Sequence, residues 1–91
     1  GTPIKVIADG TVTSAQYTGS YGYLVKVEHG NGVESWYAHT SKMYVKAGDE
    51  VKAGDVIAAV GSTGNSTGPH LHLEIRINGQ HVNPQKYIYN N

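Results

Sequence analysis

The segment from residue 70 to residue 77 alternates polar and apolar side chains without interruption. The polar set is His70, His72, Glu74 and Arg76, and the apolar set is Leu71, Leu73, Ile75 and Ile77. A period of two predicts a half-buried β-strand. Residues i and i+2 of a strand have Cα atoms roughly 6.5 to 7 Å apart, so two ring nitrogens can converge on one metal ion. An isolated pair of histidines also fits a solvated strand face.

A long polar loop precedes this strand. It reads GSTGNSTG from position 61 to 68, and Pro69 follows. Glycine allows close backbone approach, and proline, which cannot donate to a ladder, fits the first position of a strand. A hairpin turn needs only about two to five residues. We therefore interpret the loop as the wall of a cleft beside the histidines.

The rest of the chain consists of short candidate strands separated by glycine turns. Strands are predicted within 4–8, 11–17, 23–28, 33–39 and 56–60, with a hairpin across the turn at 29–32. The repeat VKAGDE, VKAGDV at 45–56 contains two Gly-Asp turns, which predict two tight corners. The alternative is a calcium site, but Asp49 and Asp55 alone supply too few oxygen ligands for one. We expect an all-β fold: a single compact domain of short antiparallel strands, a hybrid of sandwich and barrel.

The amino-acid composition limits the classes of molecule that the protein is expected to bind. The 91 residues fit one domain, and seven Lys and Arg balance seven Asp and Glu without a basic run. This gives no support for nucleic-acid binding, so a polar, weakly charged partner is expected. Without cysteine there is neither a disulfide nor a thiolate nucleophile, which is unsurprising outside the cytosol. No apolar stretch approaches a membrane span, and any export signal would lie outside these residues.

The five histidines occupy different kinds of position. His29 lies in a glycine turn and His81 follows another turn, so both are predicted to be exposed loop residues. His39 ends the segment SWYAH, whose alternation predicts that it shares a face with Tyr37. A histidine at the end of a strand can lie at the entrance of a functional site. His39 is therefore a candidate third member of a cluster with His70 and His72.

Five segments occur in a fixed order along the chain. They are GTPIKVIADGTV at the start, YAH at 37–39, V-x-x-G-x-x-V-x-x-G at 45–54, GSTGNSTGPHLHLE at 61–74 and VNP at 82–84. Together they resemble the lysostaphin-type zinc endopeptidases of bacterial cell walls. A lone pair of histidines would be a weak signal, whereas the five segments together are highly specific. The resemblance covers nearly the whole chain.

This resemblance implies a zinc site and a role for each residue in it. It implies that the cofactor is Zn²⁺, that the substrate is a peptide of peptidoglycan and that His72 is a zinc ligand. His39 and His70 are implied to be catalytic histidines that do not bind the metal but act on the water or the developing charge. Zinc lowers the pKa of its water from 15.7 toward about 7, and a neighbouring imidazole can accept and return the proton. Glu74 is a candidate to orient an imidazole, with a solvated strand carboxylate as the alternative.

Two further ligands of the family lie outside this sequence. They are a His and an Asp of an HxxxD motif, which in the family precedes the GTP segment by a few residues and would fall upstream of Gly1. Residues 1–91 are therefore expected to be a lysostaphin-type peptidase domain without its N-terminal segment, which an upstream stretch or a separate chain or fragment would supply. The alternatives are a degenerate relative and a three-imidazole site of His39, His70 and His72.

Two other classes of function are also compatible with the sequence. A non-catalytic relative would bind the cell wall or activate another hydrolase, although the three retained histidines argue against it. The corner repeat also resembles lipoyl, biotinyl and phosphocarrier domains, for which Lys42 is only an approximate attachment site and the polar loop is unexplained. The expected function is a zinc endopeptidase of peptidoglycan cross-links or stems, located outside the cytoplasm as a secreted, cell-wall or envelope protein.

Overall fold

The computed structural model of the protein describes residues 2–61 and 72–82. Gly1, His70, the polar loop from 62 to 69 and the closing Asn83-Pro84 lie outside these residues. The predictions made for them stay predictions, and so does the expectation that two metal ligands precede Gly1.

The described residues form eight β-strands and one 3-10 turn. The strands are β1 (Pro3–Lys5), β2 (Gly10–Tyr17), β3 (Tyr23–Gly30), β4 (Val33–Met43), β5 (Glu50–Val51), β6 (Val56–Val60), β7 (His72–Ile77) and β8 (Gln80–Val82). The 3-10 turn, Gly19–Tyr21, joins β2 to β3. Every strand pair is antiparallel, which confirms the all-β prediction. Within residues 2–61 and 72–82, no helix is long and apolar enough to cross a membrane.

Strand β4 organises the sheet because it pairs with three other strands. One of its edges pairs with β3. Its other edge pairs with β7 along residues 33–38 and with β6 along residues 40–43. The main strand order is β1-β6-β4-β3-β2-β5, and β7 and β8 branch off β4. The sheet therefore forks beside residue 39, between the end of β6 and the start of β7.

Two Asn-Gly turns close the hairpins β3–β4 and β7–β8. Asn31 and Gly32 have φ of 54° and 77°, and Asn78 and Gly79 have φ of 52° and 82°. Positive φ at both central residues defines a type I′ turn, whose twist matches that of the flanking strands. The N–H of Asn78 donates to the carbonyl oxygen of Gly32 at 2.8 Å, so the two turns pack together. The predicted hairpin across 29–32 is confirmed.

The VKAGD repeat forms two equivalent corners. In each corner the aspartate Oδ2 accepts the backbone N–H of the lysine three residues before it, at 3.0 Å for Asp49 and 2.9 Å for Asp55. The glycine before each aspartate has positive φ, 97° and 91°. The first corner exchanges backbone hydrogen bonds with Val12 and the second with Val6, at 2.8 to 3.0 Å. Both carboxylates thus serve their own turns, as the structural interpretation predicted.

The core lies on the face of the sheet opposite to the polar face of β7. It contains Ile4, Val6, Val12, Val25, Val27, Tyr37, Val51, Ile57, Ala58, Leu73 and Ile75. From β7, Leu73 and Ile75 are 8% and 1% exposed, which confirms the predicted apolar face. Full burial of such a side chain contributes about 1.5 to 3 kcal/mol. Since a slip of one residue would turn both toward solvent, the core also fixes the register of β7.

Candidate functional site

Strand β4 carries an extra residue at the fork of the sheet. Tyr23 pairs with Thr40 and Val25 pairs with Tyr37, so two steps along β3 match three steps along β4. This irregularity is a β-bulge, a device that bends a strand and re-aims a side chain. His39 lies in the bulge with φ of 58°, a left-handed conformation that is uncommon for a residue with a side chain.

The bulge brings His39 to the polar face of the sheet. Simple alternation predicts that it shares the face of Tyr37, which is fully buried in the core. Instead the His39 ring meets the His72 ring edge to face, with centroids 5.3 Å apart. His72 pairs directly with Ala38 of β4. The predicted face of His39 was therefore wrong, because alternation fails at a bulge, while the structure does bring His39 and His72 together.

The two imidazoles differ in their access to solvent. His39 is 7% exposed, whereas the side chain of His72 is 39% exposed. The Tyr21 ring, from the turn between β2 and β3, lies 6.3 Å from the His72 ring. The pair thus consists of one enclosed imidazole and one that solvent can reach.

Glu74 connects His72 to Arg76. Nε2 of His72 lies 3.1 Å from Oε2, and Nη2 of Arg76 donates to Oε1 at 2.9 Å. Burial alone raises the pKa of the Glu74 carboxyl, but hydrogen bonds from His72, Arg76 and Tyr21 outweigh it and hold that pKa below its ordinary value. An ionised carboxylate can only accept hydrogen bonds, so Nε2 of His72 carries a proton, and the tautomer that fits this contact has its lone pair on Nδ1.

The predicted contact between Glu74 and an imidazole is therefore present in the structure. Its alternative, a solvated carboxylate, is wrong, because Glu74 is only 8% exposed.

Trp36 of β4 lies next to these contacts. Its cross-strand neighbours are Lys26 of β3 and Glu74 of β7. Cζ of Arg76 lies 4.0 Å and Nζ of Lys26 lies 4.2 Å from its ring centroid. Its indole N–H donates to Glu34 at 3.1 Å.

Neither Trp36 nor Arg76 was predicted to belong to the site. The position of Arg76 on one face with Glu74, two residues away, is a sequence signal that could have identified it. The pairing of Trp36 with Glu74 depends on register between distant strands, which the sequence pattern does not contain.

The described residues supply one clear metal donor. Within 2–61 and 72–82 there is no group of three His, Cys, Asp or Glu placed to hold a metal ion. His72 nevertheless has the chemistry of a ligand, because a metal-binding histidine usually donates its other ring N–H to a carboxylate or carbonyl. The residues present fit one ligand of a zinc site, and a complete site would need further donors from outside the described ranges.

The prediction that His29 and His81 are loop residues was wrong. His29 belongs to β3 and His81 to β8. His81 is exposed, as predicted, but His29 is half-buried. The error arose because the glycines after His29 suggested an earlier start to the turn than the two-residue Asn-Gly loop requires.

His29 belongs to a partly buried hydrogen-bond chain on the core side of β4. Its Nδ1–H donates to the Asp9 carbonyl oxygen at 2.8 Å, and its Nε2 lies 2.7 Å from Oγ of Ser35. The Ser35 and Tyr37 hydroxyls are hydrogen bonded at 2.7 Å, and the N–H of Ile7 donates to the Tyr37 oxygen at 3.2 Å. Burial raises the pKa of Tyr37 by more than its hydrogen bonds lower it.

A histidine that donates one ring N–H to a carboxylate, beside a second imidazole, fits the metal-binding histidine of a metal-dependent hydrolase. Comparison with known families identifies the class more closely. The family model of peptidase family M23 matches residues 1–84, and the chain belongs to this family.

Three curated relatives carry names that state different activities. The chain is 55% identical over 84 residues to the DD-carboxypeptidase/endopeptidase Mpg of Neisseria meningitidis, a match covering 92% of the chain and 19% of the relative. It is 42% identical to the peptidoglycan DD-endopeptidase ShyC of Vibrio cholerae, over 93% and 20%. It is 47% identical to the murein hydrolase activator EnvC of Escherichia coli, over 97% and 21%. The chain spans about one fifth of the length of these relatives.

Solved structures agree with this assignment. The catalytic domain of lysostaphin from Staphylococcus simulans superposes with a TM-score of 0.89 at 38% identity, covering 96% of the chain and 70% of that domain. A zinc-containing peptidase from Vibrio cholerae gives a TM-score of 0.82 at 34% identity, covering 90% and 26%. The resemblance to the lysostaphin-type peptidases is confirmed.

Proposed function

We propose that the protein is a zinc-dependent endopeptidase that hydrolyses peptide bonds in the cross-links or stems of bacterial peptidoglycan. One observation carries the proposal: at the fork of the sheet, the His39 ring contacts the His72 ring, and Nε2 of His72 lies 3.1 Å from the Glu74 carboxylate. The peptidoglycan substrate is supported by the name of ShyC, and the metal by the zinc-containing peptidase of similar fold. The peptidoglycan substrate named for ShyC supports a location of this enzyme outside the cytoplasm.

The polar-face residues would divide the work. His72 would bind the metal through Nδ1, since Nε2 is occupied by Glu74. The metal, when bound, supplies Lewis acidity to the scissile carbonyl and to a water molecule. His39 lies beside His72 and would accept the proton of that water and return it to the leaving amine. His70, which lies outside the described residues, is proposed from the sequence pattern to share this role.

The remaining metal ligands are proposed to be a His and an Asp of an HxxxD motif upstream of Gly1. They would be supplied by an upstream segment of the same protein or by a separate chain. A site built from His39, His70 and His72 alone is chemically reasonable, but it would consume the imidazoles needed for proton transfer.

A second candidate is a domain that binds peptidoglycan and activates another hydrolase. The identity of 47% to EnvC, which is named a murein hydrolase activator, favours it. Against it, the chain retains the contact of His39 with the carboxylate-backed His72. The carrier class has no comparable support, because the chain belongs to a peptidase family.

The test incubates the full-length protein with purified peptidoglycan and identifies the products by mass spectrometry. We expect new amino and carboxyl termini within the peptides and intact glycan chains. The activity should be lost with 1,10-phenanthroline and return with Zn²⁺. His72→Ala should be inactive, and Lys42→Ala, at an exposed position outside the site, should retain activity. Retention on peptidoglycan without peptide cleavage in the presence of zinc would support the activator instead.

A further inference from the structure

Both oxygens of the Glu74 carboxylate are held, but by different partners. Oε2 meets Nε2 of His72 at 3.1 Å, and Oε1 accepts from Nη2 of Arg76 at 2.9 Å. The Glu74 side chain is 10% exposed, so solvent does little to hold it in place. The orientation of the carboxylate toward His72 therefore depends on its other contacts, which are the ion pair with Arg76 and the hydrogen bond from the Tyr21 hydroxyl.

Arg76 is itself fixed by an aromatic face. Its guanidinium carbon lies 4.0 Å from the ring centroid of Trp36, and its side chain is 24% exposed. Nη2 also lies 3.5 Å from the Tyr21 hydroxyl. A planar guanidinium can stack on an indole and still direct an N–H at a carboxylate, whereas a lysine ammonium cannot reproduce both contacts.

Lys26 provides an internal comparison for Arg76. Its Nζ lies 4.2 Å from the same Trp36 centroid, on the strand that flanks the other edge of β4. Arg76 forms an ion pair with Glu74, while Lys26 has no such contact in the described part of the chain. The two cations share the indole and the sign of their charge, and they differ in the contact with the carboxylate.

We propose that Arg76, stacked on Trp36, is a positioning residue that holds Glu74 against Nε2 of His72 and thereby presents Nδ1 to the metal. This inference rests on the proposed role of His72 as a ligand. Loss of a partner behind a metal-binding histidine costs roughly 10- to 100-fold in metal affinity. Because Arg76 acts through Glu74, we expect Arg76→Gln to lie at the lower end, about a tenfold loss.

The experiment uses the full-length protein and two readouts besides catalysis. The first is zinc affinity, measured by competition with a chromophoric chelator. The second is the ¹H NMR signal of the His72 Nε2–H in the metal-free protein, which the hydrogen bond to Glu74 shields from exchange. We expect Arg76→Gln to lose the signal and about tenfold in zinc affinity. Arg76→Lys should restore little of either, and Lys26→Gln should match the wild type.

Two outcomes would overturn the inference. One is an Nε2–H signal that persists in Arg76→Gln with zinc affinity within about twofold of the wild type. Another is an equal loss in Lys26→Gln, which would assign the effect to charge near Trp36. Thermal unfolding of each variant shows whether its fold is intact, and Arg76→Lys keeps the charge if Arg76→Gln unfolds.

The proposed function can fail separately. If His72→Ala binds zinc as tightly as the wild type, the ligand role is wrong. The NMR signal of the metal-free protein still decides whether Arg76 positions the imidazole.

Discussion

His29 and His72 lie on the two strands that flank β4, and both are half-buried and hydrogen bonded. The protein uses both ring nitrogens of His29, one at the Asp9 carbonyl and one at Ser35. In the described structure it uses only Nε2 of His72, at Glu74. A histidine engaged at both nitrogens serves the fold, whereas one held at a single nitrogen can still bind a ligand.

The comparison also predicts opposite tautomers. A neutral imidazole donates from one nitrogen and accepts at the other. The Asp9 carbonyl can only accept, so the proton of His29 is on Nδ1, which lies 2.8 Å from it. The ionised Glu74 carboxylate can only accept as well, so the proton of His72 is on Nε2.

The largest expected effect separates the two histidines by function. His72→Ala should reduce peptidoglycan hydrolysis by about 10³-fold or more, since Lewis acidity is worth several kcal/mol and each 1.4 kcal/mol is tenfold. His29→Ala should keep the hydrolytic rate where it remains folded. Rates on purified peptidoglycan below the unfolding temperature measure both. A His29→Ala variant that is folded and inactive would contradict the assignment of a structural role to His29 and a functional role to His72.

The second prediction concerns the stability of the chain around His29. Tyr37→Phe removes the hydroxyl that contacts Ser35 and Ile7 in a fully buried environment. We expect the free energy of unfolding to fall by about 1 to 3 kcal/mol with zinc affinity unchanged. Tyr44→Phe is the matched control, because Tyr44 is 57% exposed. Equal denaturation midpoints for the two variants would show that the buried chain contributes little.

The third prediction concerns the backbone at the bulge. His39→Ala and His39→Gly both remove the imidazole, but only glycine relieves the cost of φ at 58°. The glycine variant should therefore be more stable than the alanine variant by about 1 kcal/mol in urea unfolding. Both should be inactive. If alanine is the more stable of the two, the bulge stores no strain.

The smallest effect is an alkaline loss of stability that depends on Tyr37. Burial raises its pKa in the folded protein above the ordinary value of about 10. The folded state thus holds this proton more tightly than the unfolded state, and stability must fall as pH rises above about 10. Unfolding measured between neutral and alkaline pH should show this slope in the wild type and a weaker slope in Tyr37→Phe. Identical slopes would mean that Tyr37 does not contribute.

The sequence was most informative where the structure depends on neighbours along the chain. The alternation of β7 predicted its apolar and polar faces, because a strand that borders a core must repeat every two residues. The turns that prove to be Asn31-Gly32 and Asn78-Gly79 were located approximately, because their glycines supply the positive φ that type I′ geometry requires. The contact of Glu74 with an imidazole followed from their shared face.

Features that depend on distant pairings were not visible in the sequence. The face of His39 depends on a bulge where β6 and β7 diverge along β4. The role of His29 depends on Asp9 and Ser35, which only the folded sheet brings to it. No local period encodes either arrangement.

The central claim is that His72 can bind a metal through Nδ1, whereas both ring nitrogens of His29 are engaged in hydrogen bonds. The most direct measurement is a ¹⁵N NMR spectrum of the histidine ring nitrogens of the full-length protein, recorded before and after zinc is added. We predict a proton on Nδ1 of His29 and on Nε2 of His72, with zinc shifting Nδ1 of His72 and leaving both nitrogens of His29 unchanged. A zinc-dependent shift at His29, or metal binding at Nε2 of His72, would contradict the account.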